Sequence, residues 1–406
     1  MKKIVMMSLV ASSMLMASGY KIPEASTNAV ALSAANIAHT SDNADAAYYN
    51  PANMVFMSDT NNVEADLMYL GIDATKYNGT ATIPGATQTQ SESESFIVPS
   101  LHYVSGKLGE SNARVGVSIV SPGGLSKRWT TYPGIASAEE FTLQLIEINP
   151  TAAFEVTNDL AIAVGFRILH SSGVVKINNK YGPATQNMTG DSIDFGYNLA
   201  LAYHPIDNLE VALTYRSQID LTVKGSADLT YKTLLNGNYD VSVKLPLPAT
   251  FNAAIAYTLP TKTTVEFVYE KAYWSAYQTL NFEYQNATAE AVFGKQKAKN
   301  WKDTEAYRLG ITQELDNLTL MAGGVIDHSP VPAKTLGFEL PGSDSVSVSL
   351  GARYKINESV DIGLSGLYSM RDTRTISAAD NNDNGIVGEF SGSNILIVSA
   401  GLGYKF

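Results

Sequence analysis

The chain has 406 residues, a formal charge of −11 and no cysteine. That excludes a disulfide-stapled scaffold and a thiolate metal site, and the acidic balance is unfavourable for nucleic acid. With 22 tyrosines against 3 tryptophans, and 31 glycines, the composition suits a β-rich protein that holds aromatic rings near an interface.

The amino terminus reads "MKKIVMMSLVASSMLMASGYK". Lys2 and Lys3 form a basic head, Ile4 to Met16 a short apolar run, and Ala17-Ser18-Gly19 offers small residues for cleavage. The run is too short to span a bilayer. Residues 1–19 are therefore expected to be a secretory signal peptide, cut near Gly19/Tyr20. No later segment approaches ~20 apolar residues, so no transmembrane helix is expected.

Residues 20–60 follow, and they lack strand alternation. The stretch "STNAVALSAANIAHTSDNADAAYYNPANM" is rich in Ala, Ser and Asn, which suits short helices and turns packed tightly in a polar cavity. Ser41, Asp42 and Asn43 are candidate capping residues, and Pro51 is expected to push Asn50 toward extended backbone.

From residue 61 the chain alternates with period two. In "LAIAVGFRI", Leu160, Ile162, Val164, Phe166 and Ile168 share one face, and Ala161, Ala163, Gly165 and Arg167 the other. "LEVALTYR" sets Leu209, Val211, Leu213 and Tyr215 against Glu210, Ala212, Thr214 and Arg216. "SVSVSLGARYK" sets Val346, Val348 and Leu350 against Ser345, Ser347 and Ser349. One apolar and one small or polar face describe a soluble sandwich, or a barrel in lipid with a polar lumen.

Loop lengths separate the two. Short polar connectors recur at Gly106–Asn112, Thr157–Asp159, Ile206–Asn208, Pro260–Lys262, Leu315–Asn317 and Ile356–Glu358. Longer insertions lie between them: Ser121–Glu140, Asn178–Gly190, Lys224–Leu245, Glu283–Asn300, Ser329–Asp344 and Ala378–Phe390. Short turns alternating with long loops predict an outer-membrane barrel of roughly fourteen antiparallel strands. The last strand, "NILIVSAGLGYKF", places Leu396, Val398, Ala400, Leu402, Tyr404 and Phe406 on one face. It is expected to pair with the first strand near Asn62–Ile72, because hydrocarbon tolerates no open edge. Its aromatic end at Phe406 looks like the signal by which the barrel-assembly machinery recognises bacterial outer-membrane barrels, and that machinery is an expected partner. The fold class is therefore all-β, a transmembrane barrel over 61–406. Residues 20–60 are expected to be an internal helical plug, since so wide a barrel otherwise leaves an aqueous hole; a mobile periplasmic tail is the alternative.

Further motifs then run in a recognisable order. Asn50-Pro51-Ala52 is followed by "LTYRSQIDLTVKG" (213–225), "LPLPATFNAAIAY" (245–257), "YEKAYWSAY" (269–277), "WKDTEAYRLG" (301–310) and "DHSPVPA" (327–333). In this the chain resembles the FadL-type outer-membrane transporters of long-chain fatty acids and aromatic hydrocarbons, over nearly the whole mature length. The resemblance implies a fourteen-stranded barrel closed by an amino-terminal hatch carrying Asn50, Pro51 and Ala52. It also implies capture of substrate by apolar extracellular loops, transfer to an inner pocket, and sideways release at a kink in the third strand. That strand is expected at Ala113–Ser121, with Gly116, Pro122, Gly123 and Gly124 as kink candidates; an ordinary loop start is the alternative for 122–124.

A carboxylate ligand needs one or two basic partners in an apolar pocket. Lys302, inside the matched segment, is the first candidate, with Lys299, Arg308 and Arg167 beside it. The family often carries an arginine just past the strand that here reads "GFRILHSSGVVK", and His170, Ser171 and Ser172 stand there instead. This departure leaves fatty acid and neutral hydrocarbon both open. In the loop "PGGLSKRWTTYPGIASAEEF", Leu125, Trp129, Tyr132 and Ile135 form either a capture groove or an anchor in the lipopolysaccharide layer.

The rival classes have less support. The five histidines, His39, His102, His170, His204 and His328, sit in no recognisable catalytic motif. A general porin would carry opposed rings of charge and no plug. No metal, cofactor or nucleic-acid partner is expected. The functional expectation is passive uptake of a hydrophobic small molecule across the outer membrane, gated by ligand-driven rearrangement of the plug.

Overall fold

The computed structural model describes residues 19–80, 87–178 and 184–406. The signal-peptide expectation falls, up to residue 18, outside the described residues. Past Asn61 the chain forms a closed ring of 14 antiparallel strands. We number them β1 (Asn62–Ile72), β2 (Glu94–Val104), β3 (Ala113–Val120, resuming as Gly124–Lys127), β4 (Glu140–Thr157) and β5 (Leu160–Asn178). Next come β6 (Ala184–Ile206), β7 (Leu209–Arg216, resuming as Ile219–Tyr231), β8 (Leu235–Leu247, resuming as Thr250–Thr258) and β9 (Thr263–Ala272). β10 (Thr304–Glu314), β11 (Leu318–Asp327), β12 (Ser345–Lys355), β13 (Val360–Arg371) and β14 (Ile395–Lys405) complete it. β14 closes on β1 from Asn62↔Lys405 to Ile72↔Ile395, leaving no edge in hydrocarbon.

Outward positions such as Ile162, Val164, Phe166, Val346, Val348 and Leu350 are exposed, whereas Arg167, Ser345, Ser347 and Ser349 are buried. The apolar face therefore meets lipid, and the small or polar face lines the lumen. The short connectors all lie at one end of the ring, together with Phe406.

Toward the other end the pattern inverts. In β4, Ile148 faces out, but Phe141, Leu143 and Leu145 face in. β5 passes from outward Phe166 to inward Leu169 and Val175, and β7 from outward Leu213 to inward Ile219, Leu221 and Val223. β8 shows the same change, from inward Val241, Val243, Leu245 and Leu247 to outward Ile255 and Tyr257. Where the apolar face moves inside, water bathes the outer wall, so the switch marks the outer surface of the bilayer. The upper lumen is thus apolar, not polar as alternation alone suggests. For the same reason Asn178–Gly190 and Lys224–Leu245 are not free loops. β6 already begins at Ala184, and β7 and β8 run on to a turn around Lys232.

Residues 20–57 lie against the inner wall and are buried apart from Pro23, Phe56 and the half-buried run 39–43. They form α1 (Thr27–Ala31), capped by the Ser26 hydroxyl, then α2 (Ala46–Tyr49) and a 3₁₀ turn over Pro51–Phe56. Side chains of the wall hold them. Thr27 N–H donates to Asp66 of β1 at 3.0 Å, and Ile37 and Ala38 N–H both donate to Glu266 of β9 at 2.7 Å. Ser33 and Ser349 of β12 share a hydrogen bond of 2.8 Å. Small residues permit this closeness: a Cβ on Gly323 would lie 2.2 Å from the Leu32 carbonyl carbon.

Candidate functional site

The third strand departs from the wall. β2 pairs with β3 only from Leu101↔Ile119 to Val104↔Gly116, so Glu94–Ser100 have no β3 partner. Beyond Val120 the chain turns inward. Pro122 C=O accepts Ile22 N–H at 2.9 Å, and Gly124 N–H donates to Tyr20 C=O at 2.7 Å. A Cβ on Gly123 would stand 2.4 Å from the Tyr20 carbonyl oxygen, so only glycine allows the contact. Gly124–Lys127 then rejoin β4. Gly116 lies below the departure, inside the ladder opposite Thr151, and its inner side abuts Met54 and Ala47.

Behind this kink lies a cavity of about 70 Å³. Ile22, Pro23, Ile37, Tyr48 and Tyr49 form one wall, and Arg167, Arg216, Leu247, Pro248, Glu270 and Arg308 the other. Lys21 bonds Glu270, and Arg308 reaches the same oxygen at 3.4 Å while donating to Ser33 C=O at 3.0 Å. Glu147, fully buried, accepts Arg167 through Nε and Nη2 at 3.1 and 2.8 Å and also accepts Arg216. The Arg216 guanidinium lies 4.2 Å over the Tyr48 ring. Four cations thus line a pocket to which Glu270 alone contributes a carboxylate. On the far side of residues 28–58 a second, polar cavity of about 630 Å³ opens at the short-turn end.

Comparison with known proteins places the fold in a family. Residues 8–406 match the model of the family described as outer membrane protein transport protein (OMPP1/FadL/TodX). The chain belongs to that family. It is similar to the long-chain fatty acid transport protein of Escherichia coli K12, 25% identical over 405 residues, covering 86% of this chain and 87% of the relative. Outer membrane protein P1 of Haemophilus influenzae is 23% identical over 411 residues, covering 88% of each. Among solved structures, a Pseudomonas aeruginosa FadL homologue superposes with a TM-score of 0.83 at 18% identity, covering 95% of this chain and 99% of that one. The P. putida toluene transporter TodX gives 0.71 at 16% identity, covering 93% and 98%. This FadL/TodX-family barrel is an outer-membrane protein whose family transports hydrophobic molecules and is not enzymatic.

Within the family barrel the sequence-derived candidates separate. Arg167 and Arg308 come together at the pocket. Lys302 is exposed, its N–H bonded to Pro330 C=O at 3.1 Å, and Lys299 is buried in the extracellular roof against Glu339. Neither lines the pocket. Leu125, Trp129 and Ile135 are buried, and Tyr132 is half-buried. Trp129 donates to Phe338 C=O at 2.8 Å and stands edge-on to that ring at 5.1 Å, inside a cluster with Tyr77 and Phe390. Trp129 is thus packed in the roof, whereas Leu125 lies on the resumed part of β3 opposite Leu143. Asn50 accepts Ala52 N–H at 3.1 Å and donates to Ile37 C=O at 2.9 Å and to Leu201 C=O of β6 at 3.4 Å. Pro51 opens the 3₁₀ turn, and Ala52 is buried.

Sequence reasoning missed Lys21, Tyr48, Glu147, Arg216 and Glu270. For Arg216 a signal existed: a charge on the lumenal face midway along a strand, as for Arg167. Lys21 carries none, because only the folded chain brings it to Glu270.

Proposed function

We propose that this barrel takes up long-chain fatty acids, the carboxylate held among Arg167, Arg216 and Arg308 and the acyl tail in the apolar upper lumen. The surplus of guanidinium and ammonium groups at the foot of an apolar space carries the reading. Burying a chain of about sixteen carbons contributes about 10 kcal/mol before ordering costs. Charge-assisted bonds then orient the head. At about 70 Å³ the pocket is smaller than the ~300–1,000 Å³ that drug-sized ligands need. Residues 20–60 therefore act as a hatch. Ligand favours an arrangement in which Tyr48, Tyr49 and Ile37 withdraw, and it leaves sideways past Gly123 through the unpaired edge of β2. The ligand can shift the hatch only by binding one arrangement better than the other. A monoaromatic hydrocarbon is the second reading, favoured by the small pocket.

The test is uptake of radiolabelled oleate by cells lacking their own outer-membrane fatty acid transporter and expressing this chain. Restored uptake is expected, and it should fall in the Pro51→Ala variant at equal surface level. A correctly inserted barrel without oleate uptake would remove fatty acid and make toluene the next substrate.

A further inference from the structure

Gaps of five residues or more, flanked on both sides by paired stretches, interrupt the ladder of the described residues at three places. At Glu94–Ser100 of β2, residues 20–22 lie behind the gap, bonded to Pro122 and Gly124. At Lys244–Pro248 of β8, the segment carrying the Trp274–Ala276 turn is inserted before pairing resumes at Val243↔Phe282. The third gap has no inserted segment. β6 and β7 pair up to Asn198↔Arg216 and again from Asp191↔Lys224, leaving Ser192–Gly196 facing Gln218–Val223 with one extra residue on β7. What crosses it is slight: Ser217 bonds Tyr197 at its lower end, and Thr222 N–H reaches the Asp194 carboxylate at 3.3 Å.

This gap sits where the apolar face switches sides, at the outer surface of the bilayer. Ile193 and Phe195 on its outer flank are 60% and 59% exposed, and Phe195 stacks on Phe166 at 5.7 Å. On the inner flank Gly196 has no side chain, and a Cβ there would lie 2.7 Å from Ile219 Cγ1. Ile219, itself buried, packs against Gly196 on the lumenal side of the gap, and Gln218 and Asp220 are exposed on its outer side. Ser217 C=O at the rim accepts Arg167 Nη1–H at 2.6 Å, which joins the gap to the cationic pocket. Unpaired backbone near hydrocarbon is unfavourable, so an uncovered gap is not a neutral feature.

We propose that the β6–β7 gap is a second lateral portal, through which anionic amphiphiles with an acyl or aryl tail exchange between the outer leaflet and the Arg167–Arg216 pocket. Ile219 is its shutter. The choice of ligand rests on the proposed function; the portal itself does not.

Because the chain has no cysteine, single cysteines report access directly. Ile219→Cys and, as a second variant, Gly196→Cys would be reconstituted in vesicles and reacted with a lipid-dissolved pyrene maleimide. Leu169→Cys is the control: it is equally buried, faces the lumen, and is paired on both sides, to Glu147 and Asp194. Both portal positions should label on the order of tenfold faster than the control, since thiol reactivity follows access. Equal rates would overturn the portal, as would labelling by a charged, lipid-insoluble maleimide as fast as by the lipid-dissolved one, since access then would not run through the bilayer. Fast labelling in a chain that fails to take up oleate would refute the fatty acid reading and leave the portal standing.

Discussion

Gly123→Ala tests how the amino-terminal segment is fastened to the kink. The new Cβ would lie 2.4 Å from the Tyr20 carbonyl oxygen and 3.2 Å from Leu145 Cδ1. A backbone oxygen cannot swing away as a side chain does, so either the kink or residues 20–22 must shift. Two hydrogen bonds go with that shift: Ile22 N–H to Pro122 at 2.9 Å, and Gly124 N–H to Tyr20 at 2.7 Å. At about 0.5–1.5 kcal/mol each, their loss totals about 1–3 kcal/mol, or roughly 5- to 150-fold in the balance between fastened and released arrangements. Lys21 should then become a trypsin site in the folded barrel, and oleate uptake should rise. Gly366→Ala is the control, its Cβ meeting Ile397 C=O at an ordinary 3.7 Å. If Gly123→Ala and Gly366→Ala resist trypsin equally and transport at the parent's rate, the fastening argument is wrong.

Other outcomes follow from the same geometry. Arg216→Met removes one cation from the pocket but leaves Glu147 paired with Arg167; the half-saturating oleate concentration should rise about 10- to 100-fold, with toluene uptake unchanged. Asn50→Ala deletes bonds to Ala52, Ile37 and Leu201, costing about 1–2 kcal/mol, and hydrogen-exchange protection across residues 50–56 should fall about tenfold. In the roof, burial pushes the Glu339 carboxyl up, but Lys299 and Lys297 outweigh it and hold it below the usual carboxylate range. A depressed carboxylate stabilises the fold above its unfolded value near ~4.3, and that contribution is lost as pH falls through the folded value. The three tryptophans, Trp129, Trp274 and Trp301, are buried in or beside the roof. Their emission should therefore shift to the red on acidification below about pH 4, and at neutral pH in Glu339→Gln.

The barrel was legible because lipid on one side and a narrow lumen on the other impose a two-residue period that no loop can imitate. Leu160 to Ile168 and Ser345 to Leu350 state it openly, and the connectors around Asp159, Asn208 and Asn317 complete it. Above the bilayer the same period persists with its phase reversed. A stretch such as "FTLQLIEI" carries apolar residues on both faces and reads as ambiguous, so β6, β7 and β8 passed for loops beyond the membrane. The pocket was legible by half. Arg167 and Arg308 sit on the lumenal face, where a charge is conspicuous. Lys302 is a candidate through its place in the matched segment and Lys299 through its nearness to it, and the fold exposes the first and buries the second in the roof against Glu339. The pairing of Lys21 with Glu270 joins residues 249 positions apart and leaves no local trace.

The inversion of the apolar face makes the part of the barrel outside the bilayer a chimney with a dry flue. Its outside is wetted by water and saccharide, while Phe141, Leu143, Val223, Val243 and Leu245 keep the bore oily. On the route proposed above, a hydrophobe admitted at the roof stays against apolar side chains until it is below the outer surface of the bilayer. Strand length alone sets how much of the water-bathed zone that route crosses.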